Sequence, residues 1–203
     1  NTICPTSGQL LSSPTYLERQ FVSIGNPQLK PYWNGSITLY LLYFGKNDNY
    51  INLSYAPSYS RRPFATTLYM KDGMAYSQPQ EISDVVKHQM SLTGSWHPFP
   101  WLELAPYLEY YHTSYSTLQQ HVCLPYFRYG GGITFPLKSW NLGIYANSPT
   151  KEAEGDLIEH GSAQYAAKLL YKYKKWSFGM EWHYSGHNEY TSGKVKDFNY
   201  KKT

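Results

Sequence analysis

The fold is decided by the stretch Trp176-Ser177-Phe178-Gly179-Met180-Glu181-Trp182-His183-Tyr184-Ser185, in which large apolar side chains alternate with small or polar ones. Successive side chains of a β-strand point to opposite faces of the sheet, so the alternation predicts a strand with one apolar and one polar face. The same alternation recurs along most of the chain from Ser36 to Gly186. Because the apolar side is rich in Tyr and Trp, the pattern favours a membrane β-barrel over a soluble sandwich.

The composition agrees with strands that are only half apolar. The 203 residues have a mean hydropathy of −0.55 and 41% hydrophobic residues, yet they include 22 Tyr and 6 Trp. No run approaches the roughly 20 consecutive apolar residues that a transmembrane helix needs, whereas barrel strands are hydrophilic on average. The net charge of +4 is spread along the chain rather than gathered in a basic arm, so no nucleic-acid partner is expected.

Candidate strands come in pairs that are separated by short turns. Turn residues at 45–49, 98–100, 136–139 and 173–175 predict four hairpins. The paired strands are Ser36–Phe44 with Tyr50–Ser60, Asp84–His97 with Trp101–Ser114, Val122–Phe135 with Trp140–Asn147, and Gly161–Lys172 with Trp176–Ser185. We therefore predict an all-β, antiparallel up-and-down transmembrane β-barrel, or a segment of one, with about eight to ten strands.

The connections between these hairpins are mostly longer, and they are polar. They are Arg61–Ser83, which contains the turn signal Lys71-Asp72-Gly73 of a small hairpin, the shorter Tyr115–His121, and the charged segment Ser148–His160. Short turns at one end and longer loops at the other are typical of outer-membrane barrels, whose short turns face the periplasm. We expect Ser148–His160 to be a flexible, exposed external loop.

Four tryptophans lie beside the short turns. Indole rings prefer the headgroup layer of a membrane, so these residues are predicted to form an interfacial aromatic girdle: Trp96, Trp101, Trp140 and Trp176.

One segment carries a family signal. Gly25-Asn26-Pro27-Gln28-Leu29-Lys30-Pro31 resembles the G-N-P-x-L-K-P segment of TonB-dependent-receptor-like outer-membrane barrels, where it lies in an extracellular loop. The resemblance implies location in the outer membrane of a Gram-negative bacterium and a role in the uptake of a nutrient ligand. It also implies three kinds of partner, namely outer-membrane lipid, a plug domain with the remaining barrel strands, and an energy-coupling protein. The small-molecule or glycan ligand is not identified by the resemblance.

The domain organisation follows from the motif and the strands. Residues 1–35 are predicted to be an extracellular entry segment, residues 36–187 the barrel strands, and residues 188–203 a loop or the start of a further strand. The family barrel is larger, so we expect a segment of a longer protein. Two alternatives stay open, a small closed outer-membrane barrel with a structural or adhesive role and a soluble Tyr-rich β-sandwich that binds carbohydrate.

Chemistry-bearing motifs are sparse. Gly130-Gly131-Gly132 lacks the Lys and Ser/Thr of a phosphate loop and is predicted to mark a bend or bulge in a strand. His183, His187 and Glu189 have loose spacing without a recognised metal motif, and Glu103 and Glu109 are expected as lumen carboxylates. We expect no catalytic activity, cofactor or metal. Pairing of Cys4 with Cys123 is left open.

Overall fold

The computed structural model describes residues 1–18, 21–117, 120–192 and 199–202. These residues form one short helix, α1 (Ser7–Leu10), and eighteen strands. In chain order the strands are β1 (Thr2–Ile3), β2 (Thr15–Glu18), β3 (Phe21–Ser23), β4 (Tyr32–Ser36), β5 (Leu39–Phe44), β6 (Tyr50–Arg61), β7 (Phe64–Lys71), β8 (Met74–Glu81), β9 (Val85–Phe99), β10 (Leu102–Ser116), β11 (His121–Leu137), β12 (Trp140–Asn147), β13 (Lys151–Glu154), β14 (Leu157–His160), β15 (Gln164–Tyr173), β16 (Trp176–Ser185), β17 (Asn188–Ser192) and β18 (Asn199–Lys202).

Within the described ranges, no helix combines the length and the apolar character that crossing a membrane requires.

The main sheet is antiparallel and runs β1, β4, β6, β9, β10, β11, β12, β15, β16, with β5 also paired to β6. All four predicted hairpins are present, as β5–β6, β9–β10, β11–β12 and β15–β16. Hairpin β7–β8 forms at the predicted Lys71-Asp72-Gly73 turn. The predicted all-β, antiparallel fold is confirmed. Among the described residues, β5 and β16 each have a neighbouring strand on one edge only.

The predicted strand Ser36–Phe44 is interrupted, and a proline on its neighbour explains why. Strands β4 and β5 continue one register along β6, with Ser36 opposite Ser58 and Leu39 opposite Tyr55. Between them the Ile37 N–H donates to the Pro57 carbonyl over 3.2 Å. Proline has no N–H to return the second hydrogen bond, so the ladder breaks at this point.

The strand register shows that the strands are tilted. Leu42 lies two residues before the end of β5, near the short-turn end of the sheet. Its row of paired residues crosses the successive strands and reaches Ser185, which lies nine residues after the start of β16 and so farther from the short turns. The register therefore drifts by about one residue per strand, which corresponds to a tilt of roughly 35–45° in a barrel wall. The sheet thus has the stagger that a barrel requires.

The two faces of the sheet differ in chemistry. One face carries exposed apolar and aromatic side chains, represented by Leu92, Leu108, Ile133, Ile144 and Met180. The opposite face carries a polar series on six strands: Asn52, Ser54, Ser91, Thr93, Glu109, Arg128, Lys168 and Glu181. An exposed apolar surface of this extent is not left to water in a soluble monomer, so it indicates contact with lipid.

A loop layer covers the end of the sheet opposite the short turns. It contains two small sheets, β2-β3-β8-β7 and β13-β14-β17-β18. The main buried cluster lies here and comprises Ile82, Val85, Tyr115, Val122 and Leu124, with Ala65, Ala153 and Ile158 packed against it. Strands β9, β10 and β11 are 15, 15 and 17 residues long, whereas β12, β15 and β16 have 8, 10 and 10. The three longest strands therefore extend into the loop layer and support it.

The structure overturns one sequence-based expectation and, of the bend or bulge expected at Gly130–Gly132, excludes the bulge. Segment Ser148–His160 is not an exposed flexible loop, because it contains hairpin β13–β14, and Asp156 at its tip is only 2% exposed. Gly130–Gly132 does not form a bulge, because its register with β10 and β12 is continuous. A Cβ on Gly132 would lie 2.5 Å from the Tyr145 ring, so the glycine instead gives the aromatic ring room against the backbone.

The terminal segments contribute to the loop layer. Within 1–35, β2 and β3 join the sheet of hairpin β7–β8, and β3 pairs with β8 in parallel. Within 188–203, β17 and β18 extend the sheet of hairpin β13–β14, while 193–198 and Thr203 lie outside the described residues. Residues Leu118 and Gln119 of the predicted connection Tyr115–His121 also lie outside them.

Candidate functional site

A polar cleft of about 640 Å³ opens in the loop layer. It lies where the β6–β7, β8–β9 and β10–β11 connections meet, and it is lined by Arg62, Glu81, Ile82, Ser83, Asp84, Ser116 and Thr117. Its volume falls within the range of about 300–1,000 Å³ that is usual for ligand pockets. Six of its seven lining residues carry a charged or hydroxyl-bearing side chain, so the cleft offers hydrogen-bonding groups to a ligand.

Asp84 holds one wall of this cleft together. Its carboxylate accepts a 3.0 Å hydrogen bond from the Arg62 backbone N–H and a second, short one from the Tyr59 hydroxyl. The Tyr59 hydroxyl and then the Arg62 N–H hold the pKa of Asp84 below its ordinary value, because both stabilise the charged form. Asp84 is therefore ionised, and its two hydrogen bonds connect the end of β6 to the start of β9. We call these two bonds the Asp84 bracket.

Arg62 adopts a left-handed backbone conformation with φ of 45°. For a residue with a Cβ this conformation costs roughly 1–2 kcal/mol. Such strain clusters at binding and switch regions, where surrounding contacts hold it in place. Here the bond to Asp84 fixes the backbone, and the guanidinium lies 3.9 Å from the Glu81 carboxylate.

The opposite wall is held by hairpin β13–β14. The buried Asp156 carboxylate accepts hydrogen bonds from the Leu68 N–H over 3.2 Å and from the Thr117 hydroxyl over 2.7 Å. Its own N–H donates to the Thr66 carbonyl over 3.1 Å, and the Tyr115 hydroxyl donates to the Gly155 carbonyl over 2.8 Å. Because these contacts join β7, the end of β10 and the β13–β14 turn, Asp156 fastens the loop layer as one unit. We call this contact set the Asp156 latch.

A second polar cluster lies on the polar face of the main sheet. Glu109 and Arg128 are directly opposite on β10 and β11, with Nη1 and Oε2 3.6 Å apart. Arg128 also lies over the Tyr107 ring at 5.7 Å, and Tyr111 and Tyr126 stack at 4.9 Å. Charges and aromatic hydroxyls are thus presented together on the polar face of the sheet.

The Gly25–Pro31 segment is a turn that is docked on the loop layer. The side-chain oxygen of Asn26 accepts a hydrogen bond from the Gln28 backbone N–H over 3.0 Å. The side-chain NH₂ of Asn26 donates a hydrogen bond to the Pro79 carbonyl on β8 over 3.1 Å. A Cβ on Gly25 would lie 2.3 Å from the Leu11 carbonyl, so only glycine fits this contact. Pro27, Lys30 and Pro31 are exposed, and Leu29 is half-buried. The segment connects the loop layer to α1, and it does not form a ligand pocket of its own.

The four tryptophans lie at the short-turn end of the sheet, each between 47% and 69% exposed. They are accompanied by ring contacts, which include Trp101 with Phe99 at 5.2 Å and Trp140 with Tyr171 at 4.3 Å. The structure thus brings Trp96, Trp101, Trp140 and Trp176 to the level at which a girdle was predicted.

The structure also places the other candidate residues that the sequence suggested. In the part of the chain that the structure describes, no group of three His, Cys, Asp or Glu side chains is placed to hold a metal ion. His183 lies 3.3 Å from Glu181 on the polar face, while Glu103 accepts from the Ser95 hydroxyl over 3.0 Å. Cys4 and Cys123 are both free and exposed.

Comparison with known families decides the class. The model of the outer membrane protein beta-barrel family matches residues 2–200. The chain belongs to this family. No curated protein and no solved structure is significantly similar to it.

Membership confirms the predicted outer-membrane location and sets aside the soluble sandwich. In an outer-membrane barrel the apolar face of the sheet meets lipid and the polar face lines the interior. The short turns and the loop layer then lie at opposite membrane surfaces. The four tryptophans lie at the short-turn end of the sheet, and the cleft lies at the loop-layer end.

Sequence reasoning missed the cleft and the latch. Arg62, Glu81 and Asp84 stand in no recognised motif, and only folding brings the three connections together. The Asp156 latch had a detectable sequence signal, because Gly155-Asp156 is a residue pair typical of two-residue hairpin turns. In the structure Gly155 has the positive φ of such a turn, 62°. That signal was outweighed by the charged composition of the segment.

Proposed function

We propose that this barrel is part of a TonB-dependent receptor-like transporter that takes up a nutrient ligand across the outer membrane. The observation that carries the proposal is the Gly25–Pro31 turn, which resembles an extracellular loop segment of that receptor family and is docked here on the layer that contains the cleft. The ligand would enter through this layer and pass along the polar face of the sheet.

The proposed partners are outer-membrane lipid on the apolar face, and a plug domain, further strands and an energy-coupling protein in the complete assembly. No catalytic role is proposed, because the charged residues described above are engaged in structural pairs or line the cleft. The protein would bind and transport its ligand without chemical change.

The test is energy-dependent uptake in the native organism. Deleting the parent gene should abolish growth on one nutrient, and removing the energy-coupling protein should give the same loss. A strain whose growth and uptake on a nutrient panel do not change upon deletion would contradict the transport role.

One observation favours a second candidate, a small closed barrel with a structural role. Strand β5 breaks the alternation, because Tyr40, Leu42 and Phe44 are large apolar side chains on the otherwise polar face. An eight-stranded barrel has an interior that side chains fill, and such residues would pack there. Disulfide scanning between β5 and β16 separates the two candidates, since cross-links form in register only if these strands are neighbours.

A further inference from the structure

We propose that a hollow on the apolar face of the sheet, beside the β5–β6 turn, binds one zwitterionic phospholipid. An acyl chain of this lipid fills the hollow, and its headgroup lies at the turn. The inference goes beyond the proposed uptake function and does not depend on it. It starts from membership of the outer-membrane barrel family, which places the apolar face of the sheet against lipid.

The hollow has a volume of about 250 Å³ and opens on the face that meets lipid. Five of its lining residues lie on that face: Tyr43, Ile51, Gly94, Trp96 and Pro106. The strand register shows this placement, because Ile51 is paired with Gly94, which lies two residues after Leu92 of the apolar face on β9. The hollow is therefore continuous with the surface that already faces the membrane.

The hollow exists because Gly94 leaves a gap in the apolar face. The side chains of Tyr43, Ile51 and Trp96 line this gap and are 66%, 53% and 56% exposed. Pro106 completes the apolar lining from β10. At this depth the surroundings are lipid hydrocarbon rather than water, so an acyl chain is the occupant that the membrane itself supplies.

The volume suits a segment of an acyl chain. An apolar cavity of roughly 150 Å³ is large enough to hold a benzene-sized hydrocarbon, and this hollow is larger. A chain inside it contacts carbon atoms on several sides, whereas a chain on a flat protein surface has such contacts on one side only. Because Trp96 belongs to the tryptophans at the short-turn end, the hollow lies where acyl chains meet the headgroup layer.

The end of the hollow nearest the turn is polar and fixed in position. Gly45 and Asn49 of the β5–β6 turn contribute to the lining. The Gly45 N–H donates to the Asn49 carbonyl over 2.8 Å, and the Asn49 side-chain oxygen accepts from the His97 N–H over 2.6 Å. The turn is thus fastened to β9 beside the hollow, so the site is formed without the lipid.

The charges of this turn match a zwitterionic headgroup. The turn carries Lys46 and Asp48, and both residues are exposed. The other short turns carry either no charged residue, at 98–100, or only lysine, at 136–139 and 173–175. A phosphate is attracted to the lysine and an ammonium group to the aspartate, so an ethanolamine phospholipid satisfies both. A glycerol headgroup has no cation to place beside the carboxylate.

The experiment is native mass spectrometry of the detergent-purified protein, titrated with phosphatidylethanolamine or with phosphatidylglycerol of the same acyl chains. We expect one phosphatidylethanolamine to bind, at least fivefold more tightly than phosphatidylglycerol. Asp48→Asn should reduce this preference to less than twofold, and Lys46→Gln should weaken the binding of both lipids at least threefold. Lys174→Gln removes a positive charge from another short turn and should change neither quantity.

The hollow is tested by variants that fill or open it. Ile51→Trp enlarges a lining side chain and should weaken lipid binding at least tenfold. Ile144→Trp is the matched control on β12, because Ile144 lies on the same face and is 51% exposed against 53% for Ile51. Trp96→Ala removes one wall and should weaken binding at least threefold, whereas Trp176→Ala should change it less than twofold.

The inference is overturned if no phospholipid stays bound, or if Ile51→Trp binds lipid like the wild type. Equal binding of the two lipids by the wild type would overturn the zwitterionic headgroup. A dimer that the Ile51→Trp change dissociates would show that a second copy of the chain occupies the hollow, which would also overturn the inference.

Discussion

Removing the Asp156 carboxylate should release the loop layer from the barrel wall. In Asp156→Ala, the Leu68 N–H and the Thr117 hydroxyl each lose a hydrogen bond to a buried charged acceptor. Such bonds contribute about 1.5–3 kcal/mol each, and water entering the vacated space offsets part of the loss, so we expect local destabilisation by about 2–4 kcal/mol.

The assay is hydrogen–deuterium exchange of the refolded protein, read on peptides that cover β7. If local opening governs exchange, 2 kcal/mol corresponds to about 30-fold faster exchange. Asp156→Asn should cost about 1 kcal/mol, because its amide oxygen still accepts from Leu68 and the Thr117 hydroxyl can rotate to accept from its NH₂. Glu154→Ala, an exposed change on the same hairpin, should lie within about 0.5 kcal/mol of the wild type.

Wild-type protection of β7 in Asp156→Ala would refute the latch. The buried apolar cluster alone would then hold the layer in place. Faster exchange throughout β10 and β11 as well would show that the loop layer and the wall open together, which contradicts a local release.

Three further predictions concern the wall, the latch turn and the cleft. Leu92→Arg on the apolar face should destabilise the inserted barrel by about 2–4 kcal/mol and impair membrane insertion, whereas Thr93→Arg on the polar face should insert normally. Equal folding yields of the two variants in lipid vesicles would contradict the assignment of the faces. Gly155→Ala should release the β13–β14 hairpin and speed its digestion by a protease, because its Cβ would lie 1.7 Å from a carbonyl oxygen. In the control Gly73→Ala the Cβ has nothing within 4 Å, so the change should cost only about 1 kcal/mol of stability for the positive φ. Similar digestion of both variants would count against the contact. Because hydrogen bonds lower the pKa of Asp84, its bracket should be intact at neutral pH and be lost as the pH falls through that lowered pKa, and an NMR titration midpoint at or above about 3.9 would contradict this.

The sheet was predictable because its physical signal is local. Alternation with period two, short turns rich in Lys, Pro and Asn, and tryptophans beside them each act within a few residues. Strand β16 was therefore placed with its observed bounds, Trp176–Ser185. The break between β4 and β5 was harder to predict, because it arises from Pro57 on the neighbouring strand and needs the register to be known.

The loop layer was not predictable in the same way. Its charged segments read as exposed loops, since composition does not show that Asp156 finds donors from β7 and from the β10–β11 connection. The cleft likewise joins Arg62, Asp84 and Ser116, which are far apart in the chain. Features that depend on three separate connections meeting carry no signature within any one of them.

The most direct test of the central claim, an outer-membrane barrel with its loop layer outside, is cysteine labelling in intact cells. Lys71→Cys at the last residue of β7, beside the β7–β8 turn, and Lys46→Cys in the β5–β6 turn are matched exposed positions, whereas Asp156 is buried and unsuitable. The native Cys4 and Cys123 are replaced by serine, because both are exposed. A membrane-impermeant maleimide should label the Lys71→Cys variant at once and the Lys46→Cys variant only after the outer membrane is permeabilised. Labelling of the Lys46→Cys variant alone in intact cells would invert the topology, and equal labelling of both variants would contradict a barrel that spans the membrane.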